Sequence, residues 1–152
     1  MDPSQIIEKL NHLIQLDFDA VGAYDAAIHR IDVESIRTRL AEFQDDHRRH
    51  ISELSGLVRA RGGVPMERPD AKGFILKGFT AITSMMGNEA ALRAMQGNEK
   101  LTNSSYANAL RENWPPDVRD VIERNHRDEQ RHLAYIEDAL RNRIWEQSGA
   151  HV

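Results

Sequence analysis

The sequence predicts an all-α protein, a four-helix bundle built from two related helical hairpins joined by one long crossover. Three observations lead there. Apolar residues recur at steps of three and four along most of the chain, and each such stripe marks one face of a helix. Two short connections and one long one interrupt the stripes. The key residues of one stretch, about 4–61, also return in a second, about 88–145, at a constant displacement. The pairs Asp17/Glu99, Tyr24/Tyr106, His47/Glu129 and His50/His132 all lie 82 positions apart, as do Leu10/Leu92, Leu13/Met95, Leu40/Ile122 and Leu54/Ile136. An offset held across two helices and their connection is the signature of a duplicated unit.

The first helix carries Ile6, Leu10, Leu13, Asp17, Ala20 or Val21, Tyr24 and Ile28 on one face. Asp2-Pro3 supplies an N-cap and a first-turn proline. A short connection around Ile31–Glu34 leads to the second helix, with stripe Ile36, Leu40, Phe43, His47, His50, Leu54 and Leu57. Gly62-Gly63-Val64-Pro65 stops it. Residues 64–72 read as irregular and 73–86 as a short apolar helix within the crossover, about 62–87. Asn88 is the expected cap of the third long helix, which carries Leu92, Met95, Glu99, Thr102, Tyr106 and Ala109. Asn113-Trp-Pro-Pro116 breaks the chain and starts the fourth, with Val118, Ile122, Asn125, Glu129, His132, Ile136 and Ala139. After Trp145 the chain reads as a short polar tail. Short connections make helices 1/2 and 3/4 antiparallel neighbours. The long one favours an up-down-down-up order, and 1–152 is expected to form one domain.

Composition narrows the function. The 152 residues carry a net charge of −4 with both signs interspersed, so no basic footprint for nucleic acid exists. No apolar run approaches the roughly 20 residues that span a bilayer. The beginning, MDPSQIIEKL, lacks the layout of a signal peptide. Absence of cysteine excludes disulfides, thiolate metal sites and a built-in iron–sulfur relay, and a cytoplasmic location is expected.

The informative residues are the polar ones inside the stripes. Asp17, His47, His50, Glu99, Glu129 and His132 sit where hydrophobes are expected. Burying an unpaired carboxylate costs several kcal/mol. Such a cluster persists when its members pair, are wetted, or hold a cation. Imidazole and carboxylate together suit iron, manganese or zinc. His47-x-x-His50 and Glu129-x-x-His132 each place both side chains on one face, because residues three apart are surface neighbours. Tyr24 and Tyr106 follow the single acids by seven residues in the same stripes.

These residues resemble the ferritin-like superfamily, which includes bacterioferritin and rubrerythrin. Its pattern is a Glu from each of two helices plus Glu-x-x-His from each of the other two, around two irons. Asp128-Glu-Gln-Arg-His-Leu-Ala-Tyr-Ile-Glu-Asp-Ala-Leu140 resembles the fourth-helix motif of bacterioferritin. Asp17 through Ala27, with Tyr24, resembles the first-helix motif, and Glu99 stands at the third-helix Glu. The likeness covers residues of roughly 5–145 and is strongest to a group of bacterial ferritin-like proteins without an assigned function. It implies a metal set of Asp17, His47, His50, Glu99, Glu129 and His132, with Tyr24 and Tyr106 assisting proton or electron transfer. Two positions depart from the pattern. Asp17 is one methylene shorter than Glu, and His47 stands where a bridging Glu is usual. Three carboxylates then face the four positive charges of two divalent ions, leaving +1 unless hydroxide or a substrate anion compensates. Weakened binding at one of two metal positions, or a mononuclear centre, is the resulting expectation. Asp46 lies one step off the stripe, so replacing the missing acid would require a shift of register or a side-chain swing.

Plainer readings stand beside these. His47 is either a ligand or a hydrogen-bond partner of Asp17 or Glu129 across an empty site. His50 is a ligand or a satisfied core histidine, and the tyrosines are core aromatics or groups that bond into the site. His12, His29 and His151 read as surface residues, and His126 as a weak neighbour of the site. Met85-Met86 reads as crossover packing, and Arg37–Arg39 and Arg48-Arg49 as solvated faces.

Three function classes follow. The first is an iron-dependent oxidoreductase, ferroxidase or peroxidase-like, or an iron-handling protein, holding one or two Fe and meeting dioxygen or peroxide. The second is a non-redox protein with one Zn or Mn. The third is a metal-free scaffold acting through partner helices, for instance in a stress response. The likeness implies a possible homodimer. A 24-subunit storage cage is not expected, because cage-forming relatives carry a further short helix after the fourth.

Overall fold

The structure, a computed structural model, describes residues 1–67 and 87–149. Four long helices account for most of them: α1 (Pro3–Arg30), α2 (Glu34–Ala60), α3 (Gly87–Ala109) and α4 (Pro116–Asn142). A fifth, α5 (Ile144–Gly149), follows at once. Among the described residues the fold is an all-α helical bundle, as the sequence predicts.

The helix ends follow local chemistry. Asp2 caps α1 by accepting from the Gln5 backbone N–H at 2.8 Å, and the Gln5 side chain accepts from the Asp2 N–H at 3.0 Å. This reciprocal box satisfies two donors that the first turn leaves free. At the end of α2, Gly62 takes a left-handed φ of +78°, which glycine adopts without steric penalty. Gly63 then passes so close to Ile7 that a Cβ there would meet its side chain at 2.8–2.9 Å. The end of α2 therefore abuts the start of α1. Asn11 of α1 reinforces the contact, donating to the Val64 carbonyl and accepting from the Met66 N–H.

Asn88 does not cap α3. It is the second residue of that helix, and its side chain accepts from the Asp32 N–H and donates to the Asp32 carboxylate. The start of α3 is thereby tied to the α1–α2 turn, at the other end of the bundle from the close of α2. The order is consequently up-down-down-up. Residues 64–67 are irregular, as expected. The helix expected over 73–86, with Met85-Met86, lies outside the described residues.

Pro115 and Pro116 start α4, where a missing N–H costs nothing. Arg143 (φ 46°) ends it in the left-handed conformation. Trp145 packs beside the core with the Arg143 guanidinium 5.1 Å from its ring centre, and the polar stretch expected after it continues α5 as far as Gly149.

α1 packs on α2 and α3, and α4 on α3 and α2, so α1/α4 and α2/α3 are diagonal. Two apolar clusters fill the interior. One contains Tyr24, Ile36, Leu40, Phe43, Leu92, Met95 and Ile136. The other contains Leu10, Ile14, Leu54, Tyr106, Trp114, Val118 and Ile122. Repeat partners such as Tyr24/Tyr106 and Leu40/Ile122 fall in opposite clusters. The relation between the hairpins thus exchanges the two ends of the bundle and leaves its middle in place. That middle is polar. Among the described residues, no helix is long and apolar enough to cross a membrane.

Candidate metal centre

Between the two apolar clusters, all four long helices turn an ionisable side chain inward. Asp17 comes from α1, His47 and His50 from α2, Glu99 from α3, and Glu129 and His132 from α4. All six are fully buried. Each lies on the stripe that buries its helix, so the helical repeat that hides the leucines also hides these groups.

The six form two groups of four that share two members. In the first, Asp17 Oδ1 lies 2.7 Å from His47 Nδ1 and 3.0 Å from His50 Nδ1. Glu129 Oε1 lies 3.3 and 3.4 Å from the same two nitrogens. In the second, Glu99 Oε1 lies 3.1 Å from His47 Nε2 and 3.4 Å from His132 Nδ1, and Glu129 Oε2 is 3.7 Å from His132 Nδ1. Ligands held about 2.0–2.2 Å from a single ion sit roughly 3–3.5 Å from one another. The observed separations have that scale.

The ring orientations are set from outside. His50 donates its Nε2 proton to Asp128 at 2.9 Å, and His132 donates its own to Asp46 at 2.8 Å. Arg49 pairs with Asp128, and Arg131 with Asp46 at 2.7 Å. A carboxylate that takes the outer N–H turns the inner nitrogen, Nδ1, toward the centre, an arrangement typical of histidines that bind metal. The phrase Asp46-x-x-Arg-His50, repeated as Asp128-x-x-Arg-His132, is this device written twice. Each Asp serves the histidine of the opposite helix. Asp46 is therefore no substitute for the missing acid, since its carboxylate stays outside the ring of His132. Arg49 is likewise more than a solvated charge, although Arg48 pairs with Asp45 on the surface. The repeat itself was the signal for these four residues.

Both tyrosines bond into the cluster. Tyr24 donates to Glu99 Oε1 at 2.5 Å, and Tyr106 to Asp17 Oδ2 at 2.6 Å. Thr102 presents its hydroxyl to Glu99 and, at 3.0 Å, to Glu129 Oε2. His12, His29 and His126 join neither group, and His151 lies outside the described residues.

Close packing of acids and imidazoles polarises the titrations. Burial alone would lift the Asp17 carboxyl, but the His50 imidazolium and bonds from His47 and His50 hold it below the ordinary range. Burial also opposes the charge on Glu99, and the nearby imidazoles of His132 and His47 bring it well down. Glu129 goes up, because its burial outweighs the attraction of His47. The imidazoles are all raised against the cost of burial. Glu129, Asp17 and Glu99 lift His47 well above its usual value; Asp17 and Asp128 raise His50 to about 10; Asp46, Glu129 and Glu99 raise His132 to about 9. Burial, together with the charge of Glu99 or Asp17, keeps both tyrosines protonated.

Two buried atoms test whether a cation fits. Glu129 Oε1 and His132 Nδ1 have no hydrogen-bond partner among the described residues. A lone pair on the inner nitrogen of His50 or His132 would face a carboxylate oxygen, and two acceptors do not approach without a proton or cation between them. The donor set, nitrogen and oxygen in equal number in each group, suits iron, manganese or zinc. The residues fit a metal ion.

No curated protein matches the chain. Among solved structures, one described as a dodecameric thioferritin, the bacterioferritin-related protein from Bacteroides fragilis, superposes with a TM-score of 0.80 at 13% identity. That alignment covers 98% of this chain and 92% of the other, and it establishes a ferritin-like fold. Residues 5–112, which run from α1 through α3, match the family described as "Domain of unknown function (DUF2383)". The chain belongs to that family, on a ferritin-like scaffold.

Proposed function

We propose that this protein binds metal at the bundle centre and acts as an iron-dependent oxidoreductase or iron- and peroxide-handling protein with a modified di-metal site. The observation that carries the reading is the pair of buried N/O groups, in which Glu129 Oε1 and His132 Nδ1 lack partners among the described residues. Asp17, His47, His50, Glu99, Glu129 and His132 would hold one or two ions. Iron there would supply changes of oxidation state and reactivity toward dioxygen or peroxide. The remaining residues prepare that chemistry. Asp46 and Asp128 orient the two histidines, Thr102 steadies Glu129, and the tyrosine hydroxyls can pass a proton to Glu99 Oε1 or Asp17 Oδ2. The apolar clusters above and below exclude bulk water, which strengthens every charge interaction between them.

A third imidazole, where the pattern has two, supports a second reading, a non-redox site with Zn or Mn. The two readings separate on loading the metal-free protein anaerobically with Fe(II) and then admitting dioxygen or peroxide. An oxidised-iron absorption with turnover is expected for the first. Tight zinc with no redox response would leave the second, and no retained metal at all would overturn both in favour of a scaffold. The short helix α5 removes the sequence argument against a cage; a homodimer is the assembly we propose, and light scattering on the purified chain distinguishes it from a larger shell.

A further inference from the structure

We propose that His47 is a bridging ligand, each of its ring nitrogens serving one of two metal positions. The proposal rests on reading the cluster as a metal centre and deepens it. A sequence reading assigns the bridge to a carboxylate and treats the imidazole as its loss. The geometry points elsewhere. His47 Nδ1 faces Asp17 Oδ1 and Glu129 Oε1, both of which also approach His50 Nδ1, while Nε2, on the other edge of the ring, faces Glu99. His132 and Glu129 Oε2 complete that second group. The two oxygens of Glu129 divide between the groups in the same way. His47 and Glu129 are repeat partners, so the pseudo-twofold relation carries one shared ligand onto the other and exchanges the two sets. Each position would receive two nitrogens and two oxygens.

Charge supports the same assignment. Asp17, Glu99 and Glu129 carry three negative charges against the four positive charges of two divalent ions. An imidazole bound through both nitrogens has lost both ring protons to solvent and carries one negative charge itself. The fourth negative charge, absent when only carboxylates are counted, is then present, and the buried pair needs no extra anion. No electron moves in this step. Two metal–nitrogen bonds form as two N–H bonds are given up.

The test is to load the metal-free protein with Zn(II), count the ions by elemental analysis, and place them by anomalous scattering from crystals. Two ions per chain are expected, roughly 6 Å apart, because metal–imidazole bonds of about 2.0–2.1 Å lie on opposite sides of one ring. His47→Gln should lose one of the two ions. His47→Glu should retain both but draw them to about 3.5–4 Å, the spacing of oxygen-clamped pairs. Circular dichroism on each variant confirms that the bundle has folded. One ion in the wild type, or two at about 3.5–4 Å with His47 bound to at most one of them, overturns the bridge and leaves the metal centre standing. No ion in the folded wild type overturns both.

Discussion

The two hairpins are copies that have diverged unevenly, and the unevenness is informative. Both keep the outer apparatus: Asp46 and Arg131 around His132, Asp128 and Arg49 around His50, and a tyrosine on each single acid. They differ at the inner wall. Asp17 answers to Glu99, His47 to Glu129, Ala20 to Thr102 and Phe43 to Asn125. Phe43 stacks on His132, with ring centres 4.3 Å apart. Asn125 instead turns its amide toward the Tyr106 hydroxyl at 3.5 Å and leaves its Oδ1 without a partner among the described residues. One half of the centre is thus walled by an aromatic ring and the other by an amide. The parts that orient the imidazoles are duplicated, while the parts that set charge and polarity around a bound ion have separated.

The sharpest way to break the comparison is His132→Ala. It removes the inner nitrogen from one group and leaves the other complete. We expect loss of the ion held by that group, read by elemental analysis after desalting; unchanged stoichiometry would remove the assignment.

Next in size are Asp46→Asn and Asp128→Asn. Each weakens the group that takes a histidine's outer proton, and a loss of about 10–100-fold in metal affinity is expected for either. If the duplicated apparatus is equivalent, competition with a chelator will give similar losses. A loss confined to one variant would show that a single half binds metal.

The metal-free cluster should also respond to alkali. His50 titrates near 10 and His132 near 9, both above the usual histidine value near 6.5. A raised folded-state value means stability that is fully present below about 6.5 and lost as pH climbs through about 9–10. Thermal melts of the metal-free protein should therefore fall on the alkaline side, by on the order of 1–3 kcal/mol. A flat profile would mean that the imidazoles are neutral already.

The smallest effect is expected outside the centre. Asp19 and Leu101 hold the same repeat position. Leu101 is exposed, whereas Asp19 has a buried Oδ1 without a partner, and burial pushes its carboxyl up to about 6. As for the histidines, a raised folded-state value means stability lost as pH rises, here in the acid range. The penalty is absent at low pH and complete above about 6. Asp19→Asn should stabilise the protein at neutral pH by less than about 1 kcal/mol after solvent screening, and the gain should vanish near pH 4. Urea unfolding at the two pH values checks it.

The sequence by itself determined the helices, their short connections, and the membership of the buried cluster. Steps of three and four put Asp17, His47, His50, Glu99, Glu129 and His132 on the faces that must turn inward, and the repeat put them at one depth. Only the tertiary structure decided how they meet. The Asn88–Asp32 contact fixed which end of the bundle α3 starts from, and the pairing of Asp46 with His132 crossed from α2 to α4. The placement of the two His47 nitrogens in different groups was likewise invisible beforehand, as was the short helix after Arg143. The physical reason is that spacing along a chain specifies which side of a helix a residue occupies. The distance between atoms on different helices depends instead on each helix's rotation and axial offset, and packing of the two apolar clusters sets those.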